Sequence, residues 1–343
     1  MTLKKPYVLE KLDTLTSDLA DMKTKYKNRM FKPKFSVSCY WGQNNDYNGT
    51  IWNATRTAID NDIDIWSKHY VDEITLIIHI SYNASNNTFY VCENLDDFEY
   101  AVGKIEENGM SVGAIKLHNN FDSTHISTYG MSAWQTAWKG FITSIGTRFQ
   151  PYDIPILTVM NEFPYIYADA GAAYDTFVVE CLNLAKGMGY QTGISTAGAE
   201  QSFLLRSTIL NAVDYVCINT YPYITAKKND ATLQDGIIGW QSQNILSYIY
   251  AIKKQYPNMK FIISESGVQD YMVALTKPER YTWAGGDMVS SSGKAQSIFL
   301  LGLLEYLNNE IIENVWWWYS FGDNELTKGM LRQYLGGLSY ELS

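Results

Sequence analysis

The sequence predicts an α/β fold, a (β/α)8 TIM barrel preceded by a short N-terminal helix, on three observations. From Phe35 onward, eight short β-rich runs alternate with longer stretches of helical periodicity, the mark of repeated βαβ units around a parallel sheet. At 343 residues the chain accommodates one barrel of about 250 residues with insertions. The first run passes into Cys39-Tyr40-Trp41-Gly42-Gln43, without the glycine-rich phosphate loop that a doubly wound open sheet places there.

Residues 1–30 form the first predicted unit. Val8, Leu12, Leu15, Leu19, Met22 and Tyr26 recur at alternating spacings of four and three with mostly polar residues between them, a narrow heptad stripe. Such a helix hides only a seam, which suits a homo-oligomer joined through residues 8–26; the same stripe would also pack against the outside of its own barrel. Asn28 to Lys34, containing Pro33, reads as a linker into the second unit, the barrel of residues 31–343. The predicted strands are 35–41, 73–81, 111–118, 154–162, 191–196, 213–221, 260–267 and 314–321. Among the segments between them, 95–109 and 174–189 have helical periodicity and end in glycine, as helix C-termini often do.

Composition narrows the function. Hydrophobic residues make up 46% and charged ones 18%, enough for a sizeable buried core. A net charge of -9 with no Lys/Arg cluster argues against a nucleic-acid partner. The 10 Trp and 26 Tyr supply flat amphipathic faces that suit sugars as well as packing. Cys39, Cys92, Cys181 and Cys217 lack metal-site or framework spacing and read as buried free thiols. Neither an apolar segment behind the basic start nor a run of about 18 apolar residues occurs, so no signal peptide and no membrane span are predicted. The expected location is cytoplasmic or virion-associated, with release by a non-signal route. His79 reads as a buried core residue, His69 and His125 suggest nothing, and Asp60 to Asp64 lacks the glycine of a calcium loop and reads as a solvated turn. No metal or cofactor is expected.

In such a barrel the chemistry lies at the C-terminal strand ends. The fourth run ends in Asn161-Glu162 and the seventh carries Glu265 where it turns into Ser266-Gly267. A carboxylate directly after an apolar run is costly to bury unless it is used or paired. Either alone could merely meet a neighbouring Arg or Lys; two on one mouth suit glycoside hydrolysis, which needs one carboxyl to protonate the leaving oxygen and another to attack or to activate water.

These residues resemble glycoside hydrolase clan A, whose (β/α)8 barrels carry an Asn-Glu acid/base on the fourth strand and a nucleophilic Glu on the seventh. The resemblance spans most of residues 35–325, with Asn161-Glu162 in TVMNE and Glu265 in ISESG. It implies that Glu162 is the acid/base, Glu265 the nucleophile, and Asn161 a partner of the substrate 2-hydroxyl. It further implies that Tyr221, in CINTYPY, donates to the nucleophile and that Trp318, in VWWWYSF, floors the −1 subsite. The third run, AIKLHNNF, looks most like the Lys-Pro-His run of the family 113 β-mannanases, with Leu117 in place of proline, which leaves endo-galactanases and cellulase-like families open. Lys116 and His118 share a face and are expected to bind sugar hydroxyls; Trp41 and Trp283 are expected as outer stacking platforms.

The expectation is a retaining hydrolase of a β-linked polysaccharide, best matched by β-mannan. The rival is a non-catalytic carbohydrate-binding or structural barrel subunit of a phage tail or cell-surface assembly, which would explain the heptad helix and the missing signal; a virion-borne depolymerase combines the two. An aldolase or a phosphate-binding isomerase is disfavoured, since no Schiff-base lysine stands in the sixth run and no glycine-rich phosphate loop near the seventh and eighth.

Overall fold

The apolar runs read in sequence are long because both of their faces are covered, one by the barrel interior and one by helices. In the computed structural model, which describes residues 30–41, 51–162, 172–197, 207–227, 229–279, 289–318 and 325–335, they close into a ring. The strands are β1 (Lys34–Cys39), β2 (Glu73–Asn83), β3 (Thr88–Val91), β4 (Ser111–Asn120), β5 (Ile156–Asn161), β6 (Gln191–Ala197), β7 (Tyr215–Asn219), β8 (Lys260–Ser266) and β9 (Ile312–Trp317). Parallel pairing runs β1-β9-β8-β7-β6-β5-β4-β2, and β1 pairs with β2 to complete the barrel. The expected (β/α)8 barrel is therefore the observed fold. The heptad segment at residues 8–26 lies outside the described residues.

The sequence reading omitted β3. It folds back antiparallel on the far end of β2 through a turn in which Asn87 takes a φ of 53°. That conformation is one that asparagine tolerates better than most residues.

The helices are α1 (Arg56–Lys68), α2 (Leu95–Glu107), α3 (Ser123–Tyr129), α4 (Met131–Phe149), α5 (Ala172–Gly187), α6 (Ser207–Leu210), α7 (Leu233–Gln241), α8 (Ile245–Gln255), α9 (Lys294–Tyr306) and α10 (Glu325–Leu335). Thr55 caps α1 and Asn94 caps α2, each side chain accepting from a backbone N–H of the first turn. Just beyond α2 and α5, Gly109 and Gly189 adopt φ of 73° and 96°, the left-handed geometry that ends a helix at least cost in glycine. The Asp60 to Asp64 segment is a correction: it lies inside α1, because Ile59, Ile63 and Trp66 recur at helical spacing and bury one face. Its acids face neighbours, Asp60 accepting from Tyr100 and Asp62 from the Trp41 indole. His69 is buried at the end of α1 and His125 completes the capping box of α3. All four cysteines are buried and free. No helix among the described residues is long and apolar enough to cross a membrane.

Inside the ring, Ala114, Ile156, Tyr215, Cys217, Ile262 and Trp316 form an apolar layer. Side chains alternate faces along β9: Trp316 points into this layer, while Trp317 packs outward against Phe35 and Phe299. Outside the ring, α7 and α9 approach so closely that a Cβ on Gly302 would lie 2.2 Å from the Gly236 carbonyl oxygen. Gly302→Ala is therefore expected to lower the unfolding free energy by about 1–3 kcal/mol. Gly103→Ala, in α2 with open space around its Cβ position, should raise it by about 0.5–1 kcal/mol. Denaturant unfolding of the two variants beside wild type checks both signs.

Candidate active site

The apolar layer closes the barrel from below, and a polar layer stands on it toward the C-terminal strand ends. Lys116 of β4 is fully buried, and its ammonium donates to the Asn219 side-chain oxygen (3.1 Å), the Ser264 backbone carbonyl (3.2 Å) and Glu265 Oε1 (2.5 Å). Two residues further on, the same inward face presents His118, whose Nε2 is 3.5 Å from Glu265 Oε1. Tyr221, just past β7, donates its hydroxyl to Glu265 Oε2 at 3.1 Å. Glu265, 5% exposed at the end of β8, thus meets a donor at each carboxylate oxygen.

Glu162 follows β5 with φ of 50°, a left-handed conformation that a glutamate rarely adopts, and its N–H donates to the Ser195 carbonyl at 2.9 Å. The strained turn lifts the carboxyl out of the strand to where Asn219 Nδ2 donates to it at 2.8 Å. That same nitrogen donates to Asn161 Oδ1 at 2.9 Å.

The two glutamates are driven in opposite directions. Burial works to raise the Glu265 carboxyl, but the Lys116 charge and the His118 contact outweigh it and bring it down to about 2. Burial raises Glu162 as well, and there the negative Glu265 adds to the effect. Burial also depresses His118 to about 4, so it is neutral at physiological pH, and pushes the Tyr40 phenol up to about 12. One carboxyl is ionised and the other favours its proton, an arrangement that can attack carbon and donate to a leaving group. A cavity of about 860 Å³ opens over Glu162, Asn219, Tyr221 and Glu265, with Tyr223, Gln243, Thr276, Lys277 and Glu279 at its edge. Among the described residues no group of three His, Cys, Asp or Glu side chains converges to hold a metal.

Of the site residues read from sequence, Glu162, Glu265, Asn161, Tyr221, His118, Lys116 and Trp318 come together at one mouth, and four expectations need correction or fall outside. Lys116 is not available to sugar hydroxyls, because all three of its N–H groups are taken by protein acceptors. Trp318 is 2% exposed, with its indole packed against Tyr40 and His118, so it backs the wall of the site rather than lying bare as a floor. Trp41 is buried against Trp66 and Phe98 and donates to Asp62 at 3.0 Å, which leaves it inside the core and not at the rim. Trp283 lies outside the described residues.

Sequence reasoning missed Asn219, the hub between the two glutamates. A polar residue inside the run YVCIN, two positions before Tyr221 and hence on its face, was the available signal. It also missed the partner of His79: Glu93, buried beside β3, accepts from both the His79 ring and its backbone N–H. Nothing in sequence announces that pairing, because β3 itself was not foreseen.

No known protein-family model matches the chain, and no curated protein sequence matches it. Solved structures do. A GH113 β-1,4-mannanase aligns at TM-score 0.65 and 11% identity over 90% of this chain and 99% of its own. The GH113 β-mannanase AaManA from Alicyclobacillus acidocaldarius, in complex with ManMIm, aligns at 0.61 and 10% over 89% and 92%. A GH5-4 broad-specificity endoglucanase from an uncultured bacterium aligns at 0.56 and 12% over 92% and 96%. The fold is that of the clan A glycoside hydrolases.

The lowered Glu265 carboxyl also has a thermodynamic signature. A carboxylate whose pKa is depressed by folding contributes stability that is present above its unfolded value, near 4.5, and is lost as pH falls toward about 2. Glu265→Gln never has this contribution. Its deficit in unfolding free energy relative to wild type is expected to be largest above pH 4.5 and to shrink toward pH 2, as measured by denaturant titrations across that window.

Proposed function

We propose that the protein is a retaining glycoside hydrolase acting on a β-linked polysaccharide, with β-mannan the best match, in which Glu265 is the nucleophile and Glu162 the acid/base. The observation that carries this reading is the pair of mouth carboxyls with opposite protonation tendencies, bridged through Lys116 and Asn219.

In the first step a Glu265 oxygen bonds to the anomeric carbon as the glycosidic C–O bond breaks. Glu162 gives its proton to the departing oxygen. In the second step Glu162, now ionised, takes a proton from water, whose oxygen displaces Glu265 from the anomeric carbon. Tyr221 holds the attacking carboxylate in line during both steps. In this reading Asn161, beside Glu162, meets the 2-hydroxyl, and neutral His118, at the cavity wall, meets another sugar hydroxyl. No step calls for a cofactor. The mannan assignment is supported by the AIKLHNNF run and by the likeness to the two mannanases; the cavity at the strand ends suits a chain ligand.

The test is reducing-sugar release from β-mannan, galactan, glucan and xylan by wild type, Glu162→Gln and Glu265→Gln. Wild type should cleave one polymer, β-mannan first. Glu162→Gln should lose about 10²–10⁴-fold and Glu265→Gln at least as much. A wild type that binds one glycan but cleaves none would instead favour the carbohydrate-binding subunit.

A further inference from the structure

We propose that Lys116 is a positioning residue serving both glutamates: its ammonium anchors Glu265 directly and, through the Asn219 carboxamide, orients the donor that meets Glu162. The inference rests on the hydrolase reading of this site and adds the residue that gives its two carboxyls different surroundings.

Lys116 stands on the apolar layer of the barrel with no exposed surface, where an ammonium is costly unless every hydrogen is met. All three are met, by Glu265, the Ser264 carbonyl and Asn219 Oδ1, so nothing is left for substrate. Asn219 Oδ1 also accepts from the Ser264 hydroxyl at 2.8 Å, and Ser264 in turn accepts from Ser195 at 3.1 Å. A flipped Asn219 amide would set its NH₂ against an ammonium and a hydroxyl hydrogen. The cation therefore fixes which end of Asn219 faces which glutamate: oxygen toward Lys116, nitrogen toward Asn161 and Glu162. Glu265 receives a charge and Glu162 only a neutral donor.

Among the described residues, the groups facing Glu265 are Lys116 and His118 from β4, Tyr221 beyond β7, Tyr40 beyond β1 and Glu162 beyond β5. Cys217 of β7 lies near Lys116, and His79, bound to Glu93, lies 4.9 Å from the His118 ring. Lys116 is the only lysine or arginine among them. Burial keeps His118 and Tyr40 neutral near physiological pH, so among the described residues removing Lys116 takes away the one lysine or arginine charge at Glu265.

The test uses the full chain as Lys116→Met and Asn219→Asp beside wild type, with two readouts. One is the pH profile of kcat/KM and of kcat on the polymer that wild type cleaves. The other is ¹³C NMR of glutamate carboxyls without substrate, Glu265 and Glu162 being assigned by their Gln variants. Lys116→Met should move the acidic limb and the Glu265 titration up together by at least one pH unit, and lower kcat at least tenfold with little change in KM. Asn219→Asp keeps an acceptor for Lys116 but turns an oxygen toward Glu162, so the Glu162 titration and the alkaline limb should rise while the Glu265 titration stays low. An unmoved Glu265 titration in folded Lys116→Met overturns the proposal. Should that variant not fold, an unmoved Glu162 titration in Asn219→Asp does so instead. Because the resonances need no turnover, shifted titrations in a protein inactive on every glycan would uphold the role of Lys116 in setting the carboxyls and reject the hydrolase reading.

Discussion

The ion pair between Lys116 and Glu265 is the contact on which the mouth of this barrel depends. Lys116 is fully buried and Glu265 nearly so, and a buried pair of this kind gains little over an apolar pair of the same volume. Its effect lies in the asymmetry it creates. A carboxylate beside a desolvated cation stays ionised to low pH, and its own charge then works with burial to raise the proton affinity of the glutamate across the mouth. Two chemically identical side chains, at the ends of β5 and β8, acquire opposite tendencies, as the proposed glycosyl transfer to water requires.

The fold supplies this asymmetry through register. Lys116, Asn219 and Glu265 come from three strands, and each reaches the same level because parallel pairing aligns their inward faces above one apolar layer. The irregular register between Thr158 and Asn161 of β5, and between Ile218 and Asn219 of β7, falls where the strands hand over to the site. With the left-handed Glu162 immediately beyond, local regularity gives way just where the side chains must be aimed.

Much of this was legible in the sequence. Parallel strands buried on both faces give unbroken apolar runs, so the eight barrel strands stood out, and so did the polar residues that interrupt or end them: Asn161-Glu162, Glu265, Lys116 and His118. What those residues touch was not legible. Sequence placed Lys116 on the inward face but could not tell that the barrel's depth leaves it facing protein acceptors instead of sugar. The alternation rule put Trp316 and Trp318 on one face, yet not the packing of Tyr40 and His118 against Trp318. Trp41 follows β1 but turns into the core, where Trp66, Phe98 and Asp62 receive it. The hairpin strand β3 is short and mixed in polarity, so neither it nor the Glu93 that it brings to His79 left a periodic trace.

Attack on carbon by an ionised Glu265, with Glu162 handling the proton, can be checked most directly by trapping. A 2-deoxy-2-fluoro mannosyl fluoride slows both steps through its fluorine at C2 and restores the first through its leaving group, so a covalent glycosyl enzyme accumulates and can be located by peptide mass mapping. One added glycosyl mass is expected on the peptide holding Ile263-Ser264-Glu265-Ser266-Gly267, absent in Glu265→Gln. A label on another carboxylate, or none under conditions where the protein hydrolyses mannan, would contradict it.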